Sequence, residues 1–185
     1  MPRMTDQVIV FSEDDARRVH FLCHDRLVVE SYISNMMVAR ILVDNGSLVN
    51  ILFKSAYEKI GLTTSGLSLC TSTLYGFSGE GLIPVGKKLH VTLIEVPRLT
   101  FKYYTFVVVE CSLEYNTILG RPALVEFGAA TSICHLCMKF PTEAGIGKVH
   151  GNQKEVRQCY NVSLKKSILI EAAAPKHPPP EEMEV

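Results

Sequence analysis

The chain has 185 residues with 19 basic and 19 acidic side chains, a formal net charge of zero. That balance lacks the basic surplus of a nucleic-acid binder. Apolar residues make up 47% and charged residues 21%, enough to bury the core of one domain with extensions, and no apolar run reaches the length of a membrane span.

Residues 1–25 are expected to form an amino-terminal extension with one short strand, Val8 to Phe11, followed by charged residues. Acidic residues follow too early for a signal peptide. The six cysteines, Cys23, Cys70, Cys111, Cys134, Cys137 and Cys159, then read as reduced thiols in an intracellular, cytoplasmic setting. The sequon at Asn161 carries no meaning without secretion.

From 26 to 142 apolar, β-branched runs alternate with Gly, Ser and Asn turns. Leu27–Ile33 and Val38–Val43 predict a hairpin around Ser34-Asn35. Ser55 reads as the N-cap of a short helix stopped by Gly61. Leu69–Leu74 and Leu82–Val85 flank a glycine-rich tip. Lys88–Val96 and Thr100–Val109 predict a second pair around Pro97-Arg98. Tyr115 to Arg121 leads into a helix with Pro122 in its tolerant first turn, and Cys134–Phe140 reads as a closing strand. Many short strands with few helices predict a mainly β barrel or sandwich.

Beyond it, 143–168 form a carboxy-terminal extension with an amphipathic helix, predicted from the spacing of Val156, Cys159, Tyr160 and Leu164. Residues 169–185, rich in Pro and Glu, read as a disordered linker or tail.

Asp44 carries the chemistry. Ile41, Leu42 and Val43 drive a strand inward, Asp44 ends it, and Asn45-Gly46 supplies a turn tolerant of positive φ. A carboxylate there must be paired or hydrogen-bonded; it either caps its own turn or is held for acid–base work. A weak echo accompanies it, since Ile118-Leu119-Gly120-Arg121 also runs from an apolar strand into a glycine, and two such corners could sit side by side in one domain.

Arg40 through Ser47 and Ile51-Leu52-Phe53 resemble the active-site segment of retropepsin-like aspartic proteases in the polyproteins of plant gypsy-type LTR retrotransposons. The likeness continues in order: Gly76-Phe77-Ser78-Gly79 falls at that family's flap, and Tyr115 to Pro122 is similar to its second signature. His135 to Thr142, Gly147 to Gly151 and Gln153 to Tyr160 resemble segments that follow the protease in the plant elements. The resemblance spans roughly residues 8 to 166 and implies a retropepsin-like closed β-barrel with short helices and a flap hairpin.

It further implies an aspartic endopeptidase acting on polyprotein cleavage sites as a homodimer, with Asp44 from each chain as the catalytic dyad. Asn45, Gly46 and Ser47 would form the active-site loop, with the Ser47 hydroxyl donating to the outer carboxylate oxygen. Gly76, Phe77, Ser78 and Gly79 would be the flap; Ile118, Leu119, Gly120 and Arg121 would support the loop from beneath. No cofactor, nucleic acid or membrane is implied, and an active element would place the enzyme in a retroelement particle. The family usually has threonine at Asn45, bonding across the dimer, and plant relatives often have a small polar residue at Leu48.

Two other readings stand beside this one. Cys134-x-x-Cys137 around His135, and His20-x-x-Cys23-His24, have ligand-like spacing, but no second Cys-x-x-Cys exists and the two cysteines of a strand would face opposite ways. The fold could also serve, without catalysis, as a dimerisation or peptide-binding module.

Overall fold

A computed structural model describes residues 7–17, 19–20, 25–33, 36–70, 72–75, 81–89, 93–95, 98–100, 104–111 and 114–161. The expected flap tip Gly76 to Gly79, Ser34-Asn35, Cys23-His24, Leu164 and the 169–185 tail lie outside them.

The first hairpin is formed by β1 (Val28–Ile33) and β2 (Met36–Val43), paired antiparallel. Their register slips between Val29↔Ile41 and Ser31↔Val38, which sets Ala39 and Arg40 opposite Glu30. This is a β-bulge. Arg40 takes φ 58, a left-handed conformation that costs a non-glycine residue roughly 1–2 kcal/mol. Asn116 compensates: its backbone N–H donates to the Arg40 carbonyl at 3.0 Å, and its Nδ2 to the Ala39 carbonyl at 2.8 Å.

Next come β3 (Asn50–Phe53) and α2 (Lys54–Lys59) without a break. Phe53, not Ser55, is the N-cap, and Ser55 is exposed in the first turn. The reason is packing: Leu52 and Phe53 are pulled into the interior, so the helix must begin at once. Tyr57 is buried and donates its hydroxyl to the Thr63 carbonyl at 2.9 Å; Gly61, at φ 76, ends the helix as expected.

The glycine-rich tip is flanked by β4 (Leu74–Tyr75) and β5 (Gly81–Leu82), which pair antiparallel. The second expected pair divides in two: β6 (Gly86–Leu89) pairs with β9 (Thr105–Val109), and β7 (Leu93–Glu95) with β8 (Arg98–Thr100). Then follow β10 (Thr117–Leu119) and α3 (Arg121–Phe127), whose first turn holds Pro122.

The principal sheet has the order β1-β2-β10-β3-β9-β6. Pairing of β2 with β10 and of β3 with β9 is parallel; the other ladders are antiparallel. The fold is mainly β with short helices. Among the described residues no ladder joins β1 to β6.

Strand periodicity sorts the side chains onto two apolar faces. Val29, Ile41, Val43, Leu52, Phe106, Val108 and Leu119 join the larger core with Tyr57, Phe127 and Phe140. Phe53, Val107 and Val109 cluster on the other face with Val49, Ile51, Leu74, Leu82 and Ile118. Those of them that are fully buried each stabilise the fold by roughly 1.5–3 kcal/mol, and the half-buried Val49, Ile51, Leu74, Leu82 and Ile118 contribute less. Both faces are covered, so the strands read as continuous apolar runs.

A smaller sheet follows, of β11 (Ala130–Ser132), β12 (Cys137–Thr142) and β13 (Gly145–His150). Residues 133–136 form a turn, so the expected strand from Cys134 starts only at Cys137. β13 was not expected, because glycines disfavour strands. Gly147 lies there opposite Phe140, whose ring would be 2.8 Å from any added Cβ; the aromatic fills the space the glycine leaves. The β12–β13 hairpin straddles the boundary expected at 142/143. A helix over 153–161 follows, capped by the Asn152 Oδ1, which accepts the N–H groups of Lys154 and Glu155. It buries Val156 and Cys159, whereas Tyr160 is exposed and lies off the apolar face. No helix among the described residues is long and apolar enough to cross a membrane.

The amino-terminal segment departs from expectation. Residues 7–12 form no strand, and α1 (Glu13–Ala16) follows instead. The segment is held by a buried ion pair: Asp15, 2% exposed, meets the Lys139 ammonium at 2.6 Å, and Lys148 lies 3.4 Å from its other oxygen. Lys139 also donates to the Val10 carbonyl at 2.7 Å and lies over the Phe11 ring. The bond from Lys139 holds the Asp15 carboxyl well below the usual carboxylate range, against the burial that raises it. Folding therefore favours the ionised form. Its stabilisation is complete above the unfolded carboxylate value, about pH 4, and is lost as the pH falls below that toward the depressed folded value. Asp15→Asn is expected to destabilise the protein by about 3 kcal/mol at neutral pH. In urea unfolding the gap to the parent protein should hold from neutrality down to about pH 5 and narrow steadily on further acidification.

Candidate active site

Asp44 lies at the end of β2, half-buried. Its backbone N–H donates to the Leu119 carbonyl at 3.0 Å, and its Oδ1 accepts the Gly46 N–H at 2.9 Å. One face of the carboxylate is thus fixed by its own turn, and no ion pair neutralises it among the described residues. Neither Asn45 nor Gly46 has positive φ, so the turn does not use the freedom expected of them. Gly46 matters for space: an added Cβ would sit 3.1 Å from Asp44 Oδ1. Asn45 is exposed at the turn's crest.

The two strand-to-glycine corners do lie side by side. β10 runs parallel to β2 with Ile118↔Leu42 and Leu119↔Val43 in register. Beyond the strands, the Arg121 N–H donates to the Ser47 carbonyl at 2.9 Å, tying the start of α3 to the loop. Ser47 itself is turned away from the role expected of it, because its hydroxyl donates to the Val49 carbonyl at 2.8 Å, not to Asp44. That bond satisfies a loop carbonyl which no ladder reaches.

Gly120 makes the contact possible. A Cβ there would lie 2.3 Å from the Val49 carbonyl oxygen and 3.0 Å from that of Ser47, a backbone approach only glycine permits. Across the sheet, Leu74 of β4 and Leu82 of β5 pack with Val49 and Phe53. The base of the glycine-rich hairpin therefore shares an apolar cluster with the Asp44 loop.

Two organising residues escaped the sequence reading, Asn50 and Asn116. Asn50 is 2% exposed and accepts the Gly120 N–H at 2.9 Å. Asn116 holds the bulge that aims β2 at the loop. Only the polarity of Asn50 at the head of an apolar strand signalled it, since a buried amide needs partners.

The other chemistry-bearing residues lie elsewhere. Cys137 is buried in β12 and Cys134 is exposed in the preceding turn; no group of three or more His, Cys, Asp or Glu among the described residues has metal-site geometry. A crevice of about 610 Å³ lies between His20, Glu30, His135, Asn152 and Arg157, and none of Asp44 to Ser47 lines it. Gly120→Ala is expected to destabilise the fold by about 3 kcal/mol, the upper range for overpacking, because backbone rather than a flexible side chain must move. Urea unfolding of the purified variant measures it.

No family model matches the chain, and no curated protein matches it. Among solved structures it is similar to the retroviral protease-like domain of Ddi1 from Leishmania major, at TM-score 0.49 and 18% identity, over 69% of this chain and 93% of that one. It is also similar to a retropepsin-like aspartic protease from Rickettsia conorii, at TM-score 0.44 and 16% identity, over 66% of this chain and 79% of that one.

Proposed function

We propose that this protein is an aspartic endopeptidase, from the polyprotein of a plant gypsy-type LTR retrotransposon, that works as a homodimer. The observation that carries the reading is the Asp44 corner: a half-buried carboxylate at a strand end, one oxygen held by the Gly46 N–H, in a loop braced by the Leu119–Arg121 turn. The resemblance of Arg40 to Phe53 and of Tyr115 to Pro122 to retropepsin segments supports it independently, and it is the sole support for the retroelement origin.

One carboxylate per chain sets the mechanism. Brought together across a two-fold axis, two Asp44 side chains cannot both ionise cheaply and share a proton. The ionised member takes a proton from water as it attacks the scissile carbonyl. The protonated member donates to the carbonyl oxygen, and proton return to the leaving amine completes cleavage. The Gly46 N–H, bonded to one oxygen of each carboxylate, orients the other toward the shared water. The hairpin tip at Gly76 to Gly79 closes over substrate in this reading and excludes solvent.

The competing reading keeps the fold as a dimerisation or peptide-binding module. The exposed Asn45, where retropepsins usually have threonine, favours it, since the cross-dimer contact of that family is altered here. Incubation with a peptide library separates the two. The enzyme reading expects pepstatin-sensitive cleavage at mildly acidic pH, reduced about a thousandfold or more by Asp44→Asn. Undiminished cleavage by that variant would end the assignment. Specific activity should also rise with protein concentration in step with the dimer fraction from sedimentation; full activity in a monomeric sample would refute the shared site.

A further inference from the structure

We infer that Asn50 is a positioning residue for Asp44, acting through a single peptide unit. The inference rests on the protease reading for its effect on turnover, but the linkage itself is geometric.

The antiparallel ladder of β10 with β3 pairs Thr117↔Leu52 and Ile118↔Ile51 and then stops. The next peptide, between Leu119 and Gly120, is gripped on both edges. Its carbonyl accepts the Asp44 N–H at 3.0 Å, and its N–H donates to Asn50 Oδ1 at 2.9 Å. A peptide is planar, with C=O and N–H pointing opposite ways. Fixing the N–H edge therefore fixes the carbonyl that holds the backbone of Asp44.

Asn50 is itself held. Its Nδ2 donates to the Thr105 carbonyl at 3.3 Å, and its backbone lies in register with Phe106 in the parallel β3–β9 ladder. Only one orientation of the amide meets both partners, because Gly120 offers a donor and Thr105 an acceptor. Asn50 thus links the start of β9 to the catalytic loop. An apolar residue of similar size would leave the Gly120 N–H buried and unpaired. β3, β9 and β10 carry no ionisable side chain; the adjoining segments carry Arg40 on β2, Asp44 in the loop, Lys54, Tyr57, Glu58 and Lys59 on α2, Lys87 and Lys88 on β6, Tyr104 and Glu110 flanking β9, Glu114 and Tyr115 before β10, and Arg121 and Glu126 on α3.

Asn50→Asp provides the test because it changes the donor set and not the shape. When protonated, the introduced carboxyl can accept from Gly120 and donate to Thr105, as the amide does. When ionised it faces the Thr105 carbonyl with no proton between them. The expected result is a kcat within a few-fold of the parent at the acid end of the profile, falling about a hundredfold as the pH rises, with KM little changed. Asn50→Leu should show the loss of kcat at every pH. Hydrogen exchange at the Gly120 and Asp44 amides gives a readout independent of cleavage: both should lose protection together in Asn50→Leu, and in Asn50→Asp only at the higher pH. If the parent protein cleaves no peptide, the protease reading fails and exchange alone decides the linkage. The inference is overturned if the Asn50→Asp profile follows the parent's, if only KM changes, or if the Asp44 amide stays protected while that of Gly120 does not.

Discussion

The parallel pairing of β2 with β10 is the constraint on which the site depends. Two strands that each run into a glycine-bearing turn are laid side by side, so their exits must share one small volume. Gly120 lets the second exit press against the carbonyls of the first. Parallel neighbours cannot be joined by a tight turn, and the chain between them supplies β3, α2, the glycine-rich hairpin and β9. The site is therefore assembled from segments some 75 residues apart in sequence, as the Asn116–Arg40 contact, with a separation of 76, also illustrates.

Polar side chains do at these corners what the ladders cannot. Asn116 takes up the carbonyls freed by the β2 bulge, and Asn50 takes up the N–H left where the β10 ladder stops. Ser47 does the same for a carbonyl inside the loop. Each is short, uncharged and able to match a backbone group, so the irregular backbone near Asp44 is satisfied without introducing a second charge. The carboxylate is held within its own turn through one oxygen, Oδ1, by the Gly46 N–H.

Away from the site, the molecule is held by a different kind of interaction. Asp15 and Lys139 bury opposite charges between the amino-terminal segment and the smaller sheet. Such a pair contributes little over an apolar substitute yet is costly to break singly. It ties the amino-terminal segment to β12, through the Asp15 carboxylate and the Val10 carbonyl. Phe11, stacked on His135 at 5.5 Å and facing Lys139, completes that docking.

Local pattern carried most of the secondary structure. The β-branched runs gave the β1–β2 hairpin, Pro122 marked the first turn of α3, and the shared strand-to-glycine pattern anticipated the contact of the Asp44 and Gly120 corners. Each depends on neighbours within a few residues, so one-dimensional reasoning reached it. The failures have the opposite character. The N-cap moved from Ser55 to Phe53 because core packing overrode capping, β13 formed because Phe140 covers Gly147, and Val8 to Phe11 stayed out of a strand because Lys139, 129 residues from Val10, takes its carbonyl. Asn50 and the true partner of Ser47 were equally out of reach. The sequence by itself determined which carboxylate ends a buried strand; only the tertiary structure decided what holds it, because hydrogen-bond partners are chosen by distance in space and not by distance along the chain.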